Sequence, residues 1–345
     1  MDVFTITLSI ADTELSVLSL VTLGLCVGTL SGFFGVGGGW IVTPALNIFG
    51  VGMPFAIGTD LAYVFGQSII ATRRHVGMGN VDLRLGLLSV VGSVVGVEGG
   101  KQLVLLLEEY GQVDPIIRWV YMVLLFTLGS YILRDYVATV RLDRRTPPPP
   151  TGAPSGAEAV GPVASRLRRI SFPPYVSLPA SGIPRISFWV LFSVFFASGF
   201  LSGFMGVGGG FILLPALIYL VGCPTTIAVG TSLLSVLFMA GYGCFSYSLA
   251  GRTEPVAAVI MLLGAAVGAQ VGALATRYVR GLGIRLLFAV MILLAGVSVA
   301  LKQAEGLFGW EALSSLAGIF VLGAAGALTI LIAVRLYRGI RGTGV

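Results

Sequence analysis

The sequence predicts an all-α polytopic membrane protein made of two inverted-topology repeats. Each repeat has four long helices and one short broken helix, and one extra helix follows at the C-terminus. Three observations predict this. Apolar residues make up 56% of the 345 and charged residues only 10%, against roughly a quarter charged in soluble domains. Nine apolar runs are long enough to cross a bilayer. A segment built around a glycine cluster occurs twice, at 30–46 and 201–217.

The long runs lie near 15–35, 54–74, 83–107 and 116–138, then near 187–207, 224–247, 255–276, 283–302 and 312–334. Each reaches the roughly 20 residues that an α-helix needs to span ~30 Å of hydrocarbon. Residues 1–30 hold no Lys or Arg and no small-residue cleavage site, so the first run reads as a retained span rather than a cleaved signal. Two further runs, 40–51 and 211–222, are too short. At 1.5 Å per residue they cover only about 18 Å. Each follows a glycine cluster and holds one proline, Pro44 or Pro215. Between the halves, 142–186 carries Pro147 to Pro150, then a Gly/Ala/Ser/Pro stretch, then Arg166, Arg168 and Arg169. That composition reads as a flexible linker, with short strands expected at 170–172 and 175–178. The organisation expected is therefore a first repeat at 1–141, the linker, a second repeat at 187–305 and an added helix within 306–345. Cys26, Cys223 and Cys244 are widely separated in apolar surroundings and read as small buried residues.

The repeat is explicit. LSGFFGVGGGWIVTPAL at 30–46 matches LSGFMGVGGGFILLPAL at 201–217 at 13 of 17 positions. Gly58-Thr59 then pairs with Gly230-Thr231, and Gly92, Gly96 and Gly100 pair with Gly264, Gly268 and Gly272. Such repeats are the usual construction of secondary transporters. If each short segment completes a crossing, every repeat has an odd number of crossings and the copies are inverted. With the N-terminus outside and the linker and C-terminus cytoplasmic, 17 of the Lys and Arg fall inside, and Lys101, Arg118, Arg252 and Lys302 fall outside. If both short segments re-enter instead, the split weakens to 13 against 8. The positive-inside rule favours inversion. The net charge of +6 is thereby a topology signal, and no nucleic-acid partner is expected.

Three consecutive glycines unwind a helix. Unwound backbone at membrane depth survives only where protein buries it or a cavity is lined by it. The start of a half-helix beyond it presents free N–H groups and the positive end of a dipole, which suits an anion. Gly37, Gly38, Gly39 and Gly208, Gly209, Gly210 are therefore candidate substrate-binding residues, the alternative being that they only permit tight helix crossing. A nucleotide fingerprint is excluded, since no strand precedes the loop and no Lys-Ser/Thr follows it. No cofactor is expected. Glycines spaced by four, Gly24/Gly28/Gly32, Gly92/Gly96/Gly100, Gly199/Gly203 and Gly264/Gly268/Gly272, read as packing ridges.

Gly35-Val36-Gly37-Gly38-Gly39 with Pro44-Ala45-Leu46, its copy at 206–217, Gly58-Thr59-Asp60-Leu61, Gly230-Thr231-Ser232-Leu233 and Gly79-Asn80-Val81-Asp82 together resemble the TauE/SafE sulfite exporter family. The resemblance covers about 30–140 and 187–302. It implies transport of sulfite, sulfonates or related organic anions across the cytoplasmic membrane. Two positions depart from the pattern: Asp60 stands where the second copy has Ser232, and the second turn reads Gly251-Arg252-Thr253-Glu254.

Charges at membrane depth are rare and usually functional. Asp60 and Glu98 are the acids placed inside spans, and their repeat mates are Ser232 and Gln270. Burial favours the neutral form of a carboxyl, which makes both acids candidates for proton coupling, the alternative being a structural role. Thr59, Thr231, Ser232, Gln67 and Gln270 offer neutral hydrogen bonds to an oxyanion, unless they bond back to their own helices. His75 and the neighbouring Arg73 and Arg74 are expected in a cytoplasmic loop, where the arginines gather anions or simply set topology. One histidine, no HExxH and no GxSxG leave neither a metal site nor an enzyme's nucleophile–base pair. The function expected is secondary transport of a small sulfur-containing or organic anion by alternating access, with protons as candidate coupling ions. The same features also serve an anion channel.

Overall fold

A computed structural model describes residues 5–8, 10–143, 172–276 and 282–342. The helices are α1 (Val17–Phe34), α2 (Gly39–Ile48), α3 (Met53–Gly77), α4 (Leu83–Glu109) and α5 (Val113–Asp143), then α6 (Phe188–Met205), α7 (Gly210–Ala216), α8 (Thr225–Leu249), α9 (Pro255–Ala275), α10 (Leu282–Phe308) and α11 (Glu311–Gly342). Eight of the long helices are apolar enough to cross a membrane. The chain is a multi-pass membrane protein. The exception among the long helices is α3, whose 25 residues carry Asp60, Gln67, Ser68, Thr72, Arg73, Arg74 and His75.

Helix ends follow local chemistry. Gly35 takes a left-handed conformation and its N–H bonds the Ser31 carbonyl, which stops α1. The Asp82 side chain accepts from the Leu85 N–H and caps α4. Pro54 and Pro255 sit in the first turns of α3 and α9, where a missing N–H costs nothing. Two antiparallel hairpins supplement the helices: β1 (Thr5–Leu8) with β2 (Thr13–Ser16), and β3 (Tyr175–Leu178) with β4 (Ile183–Ser187). The sequence anticipated only β3 among these strands. Of the strand expected at 170–172, only Phe172 is among the described residues, and it is not in a strand. Pro147 to Pro150 and the linker arginines lie outside the described residues, as do Arg277 and Arg280.

The glycine ridges meet ridges of the other copy. A Cβ on Gly28 would lie 2.6 Å from the Ala265 Cα, and one on Gly264 would lie 2.6 Å from the Leu25 N, so α1 and α9 touch along their backbones. In the same way Gly92, Gly96 and Gly100 of α4 face the backbone of 192–204 in α6. Close backbone approach gathers dispersion contacts where lipid offers no hydrophobic driving force. Each copy therefore lends a helix to the other.

Helix ends gather on two faces. On one, the Ile10 and Ala11 N–H groups of the β1–β2 turn donate to Glu254, and Arg252 pairs with Glu108 at 3.0 Å. On the other, Ser181 of the β3–β4 turn donates to Asp82 at 2.7 Å, and Tyr219 donates to Asp135 at 2.8 Å. The cations Lys101, Arg118, Arg252 and Lys302 are all ion-paired, with Glu98, Asp114, Glu108 and Glu305 respectively.

Candidate functional site: two glycine crossovers

Each glycine cluster is an unwound crossover between a long helix and a half-helix. Gly35, Gly37 and Gly38 have φ of 75°, 81° and 82°, and Gly206, Gly208 and Gly209 have 79°, 67° and 73°. These left-handed values explain three of the glycines in each GVGGG segment. The fifth residue answers to space. A Cβ on Gly39 would lie 2.7 Å from the Gly206 carbonyl oxygen, and one on Gly210 would lie 2.5 Å from the Val36 carbonyl carbon. The crossovers thus lie backbone on backbone. Gly37 and Gly208 both rest against the same two side chains, Val64 of α3 and Val236 of α8. Residues 35–39 and 206–210 are all buried.

Asp60 stands at the first turn of α2. One carboxyl oxygen accepts from the Thr43 N–H at 3.0 Å and from the Thr43 hydroxyl at 2.6 Å. The other is buried without a partner. The protein's own acid therefore lies against the first turn of α2 and bonds its fifth residue, past the free N–H groups of the helix start. Its repeat mate behaves differently: Ser232 donates to the Gly35 and Val229 carbonyls. Gln67 lies one turn past Val64, accepts from Ser31 at 3.0 Å, and leaves its amide nitrogen unpartnered. Ser31, which donates to Gln67, lies beside Gly38, whose added Cβ would sit 3.5 Å from that of Ser31.

Other residues singled out from sequence lie elsewhere. The Thr59 hydroxyl accepts from the Glu254 N–H, and that of Thr231 from the Asp82 N–H, both at 2.9 Å. They hold the turns that precede α9 and α4. Glu98 is ion-paired with Lys101 at 2.8 Å, also accepts from Tyr242, Ser246 and Gln102, and its side chain is 34% exposed. It is no isolated buried carboxyl, because Lys101 lies one turn further along the same helix face. Gln270 is exposed and donates to the Ala266 carbonyl. It borders a cleft of about 580 Å³ with Arg73 and Arg74, away from the crossovers. His75 belongs to α3 rather than a loop; it is buried, with Nε2 3.3 Å from the Gly32 carbonyl oxygen. Sequence reasoning missed Ser31, Ser68, Thr72, Ser198 and Ser202. For Ser68 and Thr72 the available signal was the run of polar residues that lowers the hydropathy of α3.

The chain matches the profile of the family described as Sulfite exporter TauE/SafE over residues 20–299. It is 24% identical over 302 residues to the probable membrane transporter protein YunE of Bacillus subtilis, covering 85% of this chain and all of that protein. It is 25% identical over 284 residues to YjnA of the same organism, another probable membrane transporter protein, covering 81% of this chain and 98% of the relative. A third, MJ0441 of Methanocaldococcus jannaschii, is 39% identical over 84 residues, 21% of this chain and 32% of that protein. No solved structure gives a significant match. The glycine crossovers, the paired ridges and the profile that spans both copies agree, and the chain belongs to the sulfite exporter TauE/SafE family.

Proposed function

We propose that the protein is a secondary transporter of a small anion of the sulfite or sulfonate class, working by alternating access between two inverted halves. The halves are 1–141 and 187–305, joined by a cytoplasmic linker at 142–186 and followed by an added helix within 306–345. One observation carries the reading: both crossovers meet on the same pair of valines, Val64 and Val236. A single central point reached from both copies is what a shared site requires.

Repeated contacts support the inversion. Thr59 ties to Glu254 on the β1–β2 face, while its mate Thr231 ties to Asp82 on the β3–β4 face. Gly35 packs on Val229 of α8, and Gly206 packs on Ile57, the mate of Val229 in α3. Equivalent contacts that fall on opposite faces are those of an axis lying in the membrane plane. In a chain freed of its native cysteines, single cysteines at positions 280 and 342 will react with an impermeant reagent from the cytoplasmic side only; reaction of either from the exterior alone overturns the orientation.

Buried neutral donors without partners, Gln67 Nε2 above all, suit an oxyanion that must also leave. The complete burial of both crossovers favours a carrier over a channel, since a carrier passes through a closed state. Thermal melting of the purified protein with sulfite, sulfate, thiosulfate and small sulfonates tests the substrate class. A ligand at 100 times its Kd adds about 2.7 kcal/mol to the folded state. At least one of these anions will raise the melting temperature; if none does while an unrelated solute does, the substrate class is wrong.

A further inference from the structure

Buried polar side chains nearly always find partners. In this bundle several do not, and their placement is ordered. Along α3, the amide nitrogen of Gln67, the hydroxyls of Ser68 and Thr72 and Nδ1 of His75 are buried and unpartnered. Along α6, the hydroxyls of Ser198 and Ser202 are in the same condition. These are six of the ten such atoms among the described residues, so they mark particular helices rather than scatter.

The hydroxyls have an alternative that they do not take. Ser and Thr in transmembrane helices commonly bond the carbonyl one turn back. Here Thr29 does so to Leu25 at 2.8 Å, Ser93 to Ser89 at 2.6 Å and Ser235 to Thr231 at 3.2 Å. Ser68, Thr72, Ser198 and Ser202 leave that bond unmade.

The residues lie along two related seams. Between α1 and α3, Gln67 is bridged by Ser31, and the His75 ring closes onto the Gly32 carbonyl. Between α6 and α8, the Tyr247 hydroxyl donates to the Gly203 carbonyl at 2.6 Å. Ser202 is the repeat mate of Ser31, Tyr247 of His75, and Gly203 of Gly32. Both seams begin at a crossover: Gly38 lies against Ser31, and Gly209 lies against the Ser198 carbonyl, at 2.8 Å from an added Cβ. They end on opposite faces, His75 near the α3–α4 turn and Tyr247 near the turn that carries Arg252 and Glu254.

We propose that these seams are the two halves of the solute path, meeting at the crossovers, and that His75 and Tyr247 are their gates. The α1–α3 seam leads to the β3–β4 face and the α6–α8 seam to the β1–β2 face. Each gate is an aromatic ring held by one hydrogen bond to a glycine carbonyl. With Nε2 donating to Gly32, neutral His75 keeps Nδ1 as a buried acceptor without a partner. The other unpartnered groups are hydroxyls and an amide that donate to acceptor oxygens. A small oxyanion with its water is the solute whose bonds they complete. The proposal rests on the transport reading above, and its test does not need the cargo.

The test uses single cysteines at Ser68, Thr72, Ser198 and Ser202 in the full chain, with Cys26, Cys223 and Cys244 replaced by alanine. Ala289→Cys is the control, a fully buried α10 position outside both seams. The probe is a membrane-impermeant cationic methanethiosulfonate applied to sealed vesicles of each orientation. Ser68→Cys and Thr72→Cys will react from one side, and Ser198→Cys and Ser202→Cys from the other. Their rates should exceed that of Ala289→Cys by about tenfold or more, as for a path that opens in a minor state populated at a few per cent. His75→Ala will accelerate only the first pair, and Tyr247→Phe only the second. Rates no higher than the control, or all four sites reacting from one side, would overturn the path. Gate variants that do not alter rates, read in protein that melts normally, would overturn the gates; where a gate variant fails to fold, His75→Gln or Tyr247→Leu replaces it. Sided labelling together with no melting shift by any sulfur oxyanion leaves the path standing and removes the substrate class. A melting shift without labelling does the reverse.

Discussion

Gly210→Ala will remove most of the transport and lower the melting temperature by several degrees. The new Cβ would strike the Val36 carbonyl, 2.5 Å from its carbon and 2.7 Å from the Val36 Cα. Those atoms are backbone of the opposite crossover, so no side chain can rotate away. Overpacking of a close-packed interior costs about 1–3 kcal/mol, and here the strain falls where the two halves meet. Gly39→Ala meets the same obstacle from the other side, at 2.7 Å from the Gly206 oxygen and the Val207 Cα. The control is Gly323→Ala in α11, where nothing lies within 4 Å. It will be neutral or stabilising by up to about 1 kcal/mol, because alanine is the better helix former. Melting in detergent and flux in proteoliposomes read both effects. A Gly210→Ala protein with unchanged melting and flux would show that the crossovers can separate freely, and the shared centre would lose its basis.

Asp60 carries the second large effect, and two substitutions divide it. Asp60→Ala leaves the Thr43 N–H and hydroxyl buried without an acceptor. Each orphaned group costs about 1–3 kcal/mol, so this variant will fold poorly. Asp60→Asn keeps an acceptor oxygen for Thr43 and removes the titrating group. It will fold close to the parent and, on the reading of Asp60 as a proton-coupling group, will lose any pH dependence of transport, as measured by flux across imposed pH gradients. Glu98→Gln should keep that dependence, because Glu98 already has Lys101 as its counter-charge and is partly exposed. Retention of pH-dependent flux in Asp60→Asn would remove this acid from the coupling step.

Much of the architecture was legible from one sequence because lipid leaves few choices. A bilayer demands long apolar helices, and nine long runs near the expected places became nine long helices. The i, i+4 glycines were read as ridges, and they pack as ridges. The unwound glycine loops were equally legible, since three glycines in a row have few other uses. The polar side chains were harder to place. Spacing along a helix says which residues share a face, and it does not say which neighbour covers that face. Glu98 and Gln270 stood out by type and depth, yet a lysine one turn away and an exposed groove changed their meaning. Ser31, Ser68, Thr72, Ser198 and Ser202 attracted no notice, because an isolated hydroxyl in an apolar run is ordinary.

Composition, the duplicated segment and the distribution of Lys and Arg were enough to establish a polytopic membrane protein of two related halves with paired glycine crossovers. Those features are written in local periodicity and charge, which a linear chain displays in full. The tertiary structure alone decided that α1 packs on α9 and α4 on α6, so that each copy is completed by the other. It alone put Gly37 and Gly208 on one pair of valines, turned Asp60 to the side of α2, and left two files of polar side chains, along α3 and α6, without partners. The physical reason is common to all three. Each is a relation between helices distant in sequence, set by how closely small residues let backbones approach.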